Sequence, residues 1–259
     1  MNRVVRMLLD AVPPIVLIAI LVVLWQTVVI VFKIPTYLVP LPTAVGQSLL
    51  TNWNMLLQNM YVTVQEILIG FVVGVAIGFA LALLVVSSRL IGRMLSPLIT
   101  VAQVIPKVAL APIFLIWFGY GMLSKIVITV VICFFPVVLN SIKGFTTVDQ
   151  DLLDLLKSLA ASKSQVFIKA QLPNSLPYFM AALKISMTFA IIGAVVGEWI
   201  GASHGIGYVM LVASSDFQNP LLYAAIIVIS VVGIILVGVV DIAESLLMKW
   251  KSSEVSVVV

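Results

Sequence analysis

Long apolar runs separated by short polar intervals divide the chain. The runs are Ala11–Phe32, Val62–Val86, Leu95–Phe118, Ile126–Leu139, Tyr178–Val196 and Leu221–Met248. Runs of this kind reach the length needed to cross a bilayer as a helix. The pattern therefore predicts an all-α integral membrane protein with six transmembrane helices. The third run contains Pro97, Pro106 and Pro112, each of which removes a backbone N–H, so a broken helix is expected there. In the second, Gly70, Gly74 and Gly78 recur every four residues and predict close approach of a neighbouring helix. Between the first two runs, Val45, Leu49, Trp53, Leu56 and Met60 fall at helical spacing behind Thr43, a candidate cap. That stretch carries no charge and is expected at the outer interface.

The longest polar interval is 147–177, TVDQDLLDLLKSLAASKSQVFIKAQLPNSLP. It reads as two short helices joined by the small residues Ala160 and Ala161. Thr147 with Gln150, and Ser162 with Gln165, each match a capping box. Leu152, Leu155, Leu156 and Leu159 put an apolar stripe on the first helix, and Val166, Phe167 and Ala170 do so on the second. Leu172-Pro173 and Pro177 are expected to end the unit. A purely solvated loop needs no such stripes, so they should rest on another protein. The competing reading is a cytoplasmic turn packed on the chain's own helices.

Composition settles the class. The chain is 63% hydrophobic and 9% charged, with mean hydropathy +1.26, which no soluble domain sustains. The net charge of +4 carries no nucleic-acid signal, because in a membrane protein the placement of Lys and Arg matters more than their sum. With six spans, one side collects Arg3, Arg6, Arg89, Arg93, Lys143, Lys157, Lys163, Lys169, Lys249 and Lys251, with Lys184 just inside the fifth span. The other side holds Lys33 and Lys125. By the positive-inside rule the termini and the 147–177 loop are cytoplasmic. The first run is too long for a signal core and no small-x-small site follows it, so it is expected to be retained. The single thiol, Cys133, sits in an apolar run and reads as packing.

Little here supports catalysis. No H-E-x-x-H, no paired cysteine and no G-x-S-x-G occur, and G-x-x-x-x-G-K-[ST] is absent, so the chain holds no P-loop. Ionisable residues within spans are the local candidates for function. Lys107, between Pro106 and Pro112, is either a snorkelling or structurally paired amine or a basic group beside a pathway for an anionic or carbonyl-bearing solute. Glu198 is either an interfacial carboxylate or part of an outer gate with Gly205 and Gly207. Glu66 and Asp241 stand near span ends and are expected to be solvated, as is His204 on an outer turn.

Three stretches resemble one family, the permease subunits of bacterial ABC importers. That family's cytoplasmic loop runs E-A-A, three residues, G, nine residues, I-x-L-P. Asp154-Leu155-Leu156, Ala160, Ala170 and Leu172-Pro173 stand at those positions with the spacing kept and the identities loosened. The stretch from Ile105-Pro-Lys-Val-Ala-Leu-Ala-Pro112 through Trp117-Phe-Gly-Tyr-Gly121 to Ser124-Lys125 resembles the nitrate, sulfonate and taurine subgroup, which also serves vitamin precursors. Gly197-Glu-Trp-Ile-Gly-Ala-Ser-His-Gly-Ile-Gly-Tyr208 resembles the same subgroup.

The resemblance implies a type I ABC importer permease core over 62–248, after an N-terminal span and outer segment at 1–61 and before a tail at 249–259. It implies an ATPase-docking loop at 147–177, using Asp154, Leu155, Leu156, Leu159, Ala160, Ala161, Leu172 and Pro173. The implied partners are two copies of a separate ABC ATPase, an extracytoplasmic solute-binding protein and a second permease copy, all at the bacterial cytoplasmic membrane. This chain would bind no cofactor itself, ATP being used by the ATPase. An ion-coupled secondary transporter working without an ATPase is the alternative. It would need coupling carboxylates at the bilayer midplane and inverted repeats, which the sequence does not display.

Overall fold

A computed structural model describes residues 3–248, with side chains from Val12 onward. The basic side chains of Arg3, Arg6, Lys249 and Lys251, and the tail at 249–259, lie outside the described residues. The elements in order are α1 (Arg3–Val31), α2 (Pro42–Thr51), α3 (Trp53–Ser87), α4 (Arg89–Val104), a 3-10 turn (Lys107–Leu110) and α5 (Ala111–Phe118). Then follow α6 (Met122–Thr146), α7 (Gln150–Ser158), α8 (Lys163–Val166), a π turn (Phe167–Gln171), α9 (Leu172–Gly201), α10 (Ile206–Ser215) and α11 (Asn219–Leu247). No strand occurs among the described residues.

Five helices are long and apolar enough to cross a membrane, and α4 with α5 makes a sixth if the pair counts as one span. That pair bends by 87°. Pro106 lies in the break, where it has no N–H to continue the ladder, and Pro112 stands in the first turn of α5, whereas α4 runs through Pro97 without a break. The broken third span is thus as the prolines foretell.

The bundle is built on α3, α6 and α9. Gly70, Gly74 and Gly78 of α3 face α6, where an added methyl would collide with the Thr129 side chain, Cys133 Sγ and the Phe134 carbonyl. On the other side of α6, a methyl on Gly193 of α9 would stand 2.8 Å from Thr129 Cα. The small residues therefore let three backbones pack closely, as their spacing implied. Cys133 is buried with its thiol toward the Gly70 carbonyl, the packing role expected of it.

The amphipathic stretch before the second span is not one helix. It breaks at Asn52, whose amide donates to the Ser48 carbonyl, and its later half is the first turns of α3. Val45, Leu56 and Met60 are buried in the main core with Ile67, Met187 and Ala194, and Leu49 packs on it from the side. The α2 cap is Leu41 followed by Pro42 at the first turn, so Thr43 caps nothing. Proline serves there because the first helical N–H has no partner to lose.

Candidate functional site

Two features stand at opposite ends of the bundle. The chain leaves α6, makes the α7–α8 hairpin and returns along α9, so the hairpin marks one end. The first turn of α6 and the last turn of α9 mark the other.

The hairpin is held by local hydrogen bonds. The Ser162–Gln165 capping box is present in both directions. The Thr147–Gln150 box is not: Thr147 Oγ1 donates back to the Lys143 carbonyl of α6, and Asp149 caps α7 by accepting from the Asp151 N–H. An aspartate two residues nearer the helix reaches the orphan donors more directly. After α7 the Ala160 N–H donates to the Lys157 carbonyl and the Ala161 N–H to the Leu156 carbonyl. That pair of bonds is a Schellman turn, which places its C′ residue in the left-handed region. Ala160 occupies it at φ 53°, a conformation that suits glycine better than alanine.

No residue of α7 is buried. Leu155 is 55% exposed and Leu159 is 70% exposed, with Leu152 also exposed and Leu156 half-buried. Asp154 pairs with Lys157 at 2.7 Å on the surface. The first stripe is therefore uncovered within the chain. The second packs inward instead: Ala170 is buried, and Phe167 stacks on Phe145 of α6 at 5.6 Å between ring centres.

Leu172-Pro173 does not end the unit, contrary to expectation. Helix continues from Lys163 to Gly201 over 39 residues. The π turn makes this possible: the Leu172 N–H reaches the Phe167 carbonyl, five residues back, and Pro173 falls where the ladder has already changed register. The exposed Leu172 and Pro173 thus begin the membrane helix itself.

At the far end, Asn59, Thr63 and Glu66 share one face of α3 at helical spacing. Glu66 is 0% exposed and Lys125 6% exposed, and Lys125 Nζ donates to Glu66 Oε1 at 2.6 Å. Glu198, also 0% exposed, accepts from Thr63 Oγ1 at 2.6 Å and from the Gly207 N–H at 2.5 Å. Thr63 Oγ1 accepts from the Ile206 N–H and Asn59 Oδ1 from the Gly205 N–H, each at 2.8 Å. Gly205 has φ 115°, and a side chain there would collide with the Glu198 carboxylate. The cluster joins α3, α6, α9 and the turn into α10.

The structure thus joins Glu198 with Gly205 and Gly207, and it buries Glu198 rather than leaving it at an aqueous interface. Glu66 is likewise not solvated. The apolar run suggested that it lay near a span end, but α3 begins at Trp53 and places it more than three turns inside the helix. Its partner Lys125 carries no mark of pairing in the sequence, where it is an outer basic residue at the end of the Ile105–Lys125 stretch. The Asn59, Thr63 and Glu66 spacing was the signal that could have revealed the polar face. Asp241 is half-exposed and paired with Lys184 at 2.6 Å; Lys184 also binds Glu244. His204 is exposed on the turn. Lys107 stands apart from both features. Its Nζ donates to the Gln103 carbonyl at 2.7 Å and lies 4.7 Å from the Phe135 ring centre.

Comparison with known proteins places these features in context. Residues 70–249 match the family described as "Binding-protein-dependent transport system inner membrane component". A Haemophilus influenzae chain described as "Probable ABC transporter permease protein" is 39% identical, covering 88% of this chain and 93% of its own. The "Formylaminopyrimidine transport permease protein ThiX" of Halalkalibacterium halodurans is 32% identical over 95% of this chain and 98% of its own. The "Taurine transport system permease protein TauC" of Escherichia coli is 28% identical over 84% of this chain and 82% of its own. Among solved structures, a chain of the inward-facing MetNI methionine ABC transporter superposes with TM-score 0.65 at 16% identity, covering 75% of this chain and 96% of its own. That likeness concerns the fold.

Proposed function

The chain belongs to the family of binding-protein-dependent transport system inner membrane components, and on that premise we propose that it is the membrane-spanning subunit of an ABC importer whose separate ATPase docks on the α7–α8 hairpin. It is a multi-pass membrane permease and not an enzyme. The observation that carries the docking claim is the uncovered stripe of Leu152, Leu155 and Leu159 on a hairpin whose caps and Schellman turn are formed without any partner. A surface held in shape yet left apolar suits a second protein. Asp154, Leu156, Ala160 and Ala161 complete that surface, and Leu172 with Pro173 lies where it joins the membrane helix.

Transmission follows from continuity. The helix from Lys163 to Gly201 runs from the hairpin to the Glu198 cluster, roughly 60 Å at 1.5 Å per residue. Closure of an ATPase dimer would tilt it as a rigid body. The far end, where Glu198 holds the Gly205 and Gly207 turn, would act as the gate toward a solute-binding protein. Lys107 anchors the break between α4 and α5 that would border the pathway. Two permease copies and two ATPase copies complete the assembly, with both termini cytoplasmic. Arg89, Arg93 and Lys143 stand at the hairpin end of their helices with the loop lysines, and Lys125 at the other end is paired with Glu66, which supports that orientation. The solute is a small polar or anionic organic molecule of the sulfonate, nitrate, taurine or vitamin-precursor type; the names of the relatives, which include taurine and formylaminopyrimidine, support the sulfonate and vitamin-precursor part of that class.

The test is uptake into vesicles containing the chain with its ATPase and binding protein. ATP inside the ATPase compartment should drive uptake, and a proton gradient alone should not. Uptake by the chain alone on a proton gradient would establish the secondary-transporter alternative instead.

A further inference from the structure

We propose that Glu66 and Glu198 share one proton, so that with the Lys125 ammonium the buried cluster at the far end of the bundle carries no net charge. This is independent of whether the hairpin docks an ATPase.

The first argument counts charges. Two carboxyl groups and one amine lie together at 6% exposure or less. With both carboxylates ionised the cluster would hold an uncompensated negative charge in a membrane protein's interior, among the most unfavourable arrangements available. No second cation reaches it among the described residues. Lys107 is bound at Gln103 and Phe135, Lys33 ends α1 on the surface, and His204 is exposed. The groups facing the cluster from other elements are neutral. On α6, Ser124 and Thr129 give their hydroxyls to the Gly121 and Lys125 carbonyls. From α5, Leu115 packs against Gly201. The turn into α10 offers backbone N–H groups and the half-buried Tyr208.

The second argument counts donors. Both oxygens of Glu198 accept, from Thr63 and from Gly207. Glu66 Oε1 accepts from Lys125, but Glu66 Oε2 is buried with no donor. Glu198 belongs to the same buried cluster: Thr63, one turn before Glu66 on α3, donates to Glu198, and Gly197, next to Glu198, packs on Lys125. A proton on Glu66 Oε2, donated to Glu198, satisfies the orphan oxygen and removes the excess charge together. Any motion that parts α3 from α9 must then break this carboxyl–carboxylate bond, so opening at this end and proton occupancy are linked.

Infrared spectroscopy reads the proton directly. The chain has four glutamates, Glu66, Glu198, Glu244 and Glu254, so protein grown on carboxyl-13C glutamate reports few groups. At neutral pH solvated carboxylates are ionised and give no protonated-acid carbonyl band. The purified parent chain and its Glu244→Gln variant should show one such band that shifts both with 13C and in D2O. Glu66→Gln, whose amide can donate to Glu198 as the acid would, should accumulate like the parent and lack the band. Glu66→Gln with Glu198→Gln strands Lys125 and should lower abundance about tenfold or more. Absence of a glutamate-acid band from the parent overturns the proposal whether or not any variant folds. So does a band that persists in Glu66→Gln, or a Glu66→Gln loss of abundance equal to that of the double variant.

Discussion

Lys125→Met isolates the buried ion pair. Methionine keeps the length and apolar stem that Gly197 packs against, at 3.3 Å from its missing methyl to Lys125 Cβ and Cγ, and removes only the ammonium. The pair is closed at 2.6 Å with side-chain exposures of 7% and 0%, so solvent cannot take over the role of the lost partner. Breaking a buried pair by removing one member costs about 3–5 kcal/mol, mostly the stranded charge, which changes the folded-to-unfolded ratio by more than a hundredfold. The assay is internal to the protein. Cys133 is the only thiol and is buried, so its reaction with a fluorogenic maleimide during heating reports loss of the bundle. Lys125→Met should expose the thiol at clearly lower temperature and accumulate poorly. Adding Glu198→Gln should recover part of the loss, since it removes the carboxylate whose charge the amine had balanced. An unchanged melting curve for Lys125→Met would refute the claim that this pair holds the far end together.

Three further outcomes follow from the same contacts. Gly74→Ala should destabilise the bundle by about 1–3 kcal/mol of overpacking and so lower membrane abundance, and Cys133→Ala should restore part of it, because Cys133 Sγ is the nearest atom the new methyl would strike; no rescue would place the clash elsewhere. Lys107→Met and Phe135→Leu should lower uptake in parallel, because each removes one side of the anchor at the α4–α5 break; an effect of the lysine alone would mean that it serves the solute directly. In a Cys133→Ala background, a cysteine at the exposed Ser214 should react with an impermeant reagent from outside, and one at the exposed Ser164 only after the membrane is opened; the reverse pattern would invert the proposed orientation.

The spans were legible because a bilayer demands long apolar runs, and the broken third span because proline has no N–H to give. Close packing of α3 on a neighbour was legible in the four-residue glycine repeat, though not that the neighbour is α6. Helix boundaries were less so: α3 begins nine residues before its apolar run, at Trp53, because tertiary packing of Leu56 and Met60 extends it. That extension is why Glu66 looked like an end residue and proved to be interior. Its partner Lys125 lies 59 residues on, and Glu198 of the same cluster lies on α9, six helices along from α3, and a cluster drawn from three helices leaves no local pattern. On the hairpin, the second capping box followed from residue type alone. The continuity through Leu172-Pro173 did not, because a π turn is a change of register that composition does not mark.

Co-purification of the cognate ATPase with hairpin variants tests the central claim most directly. Leu156 is half-buried beside the exposed leucines, and Ala160 sets the turn at φ 53°. Covering one leucine side chain is worth about 1.5–3 kcal/mol, roughly tenfold or more in affinity, and Leu156→Asp adds the desolvation of a charge. Ala160→Arg forces a long side chain onto the left-handed turn. Both should accumulate in the membrane near the parental level and lose the ATPase. Ala160→Gly, which suits the turn, should keep it, and so should Asp154→Ala, whose surface pair with Lys157 is worth no more than about 1 kcal/mol. Full retention of the ATPase by both Leu156→Asp and Ala160→Arg at normal abundance would contradict the account, because the uncovered stripe on α7 would then not be where the ATPase binds.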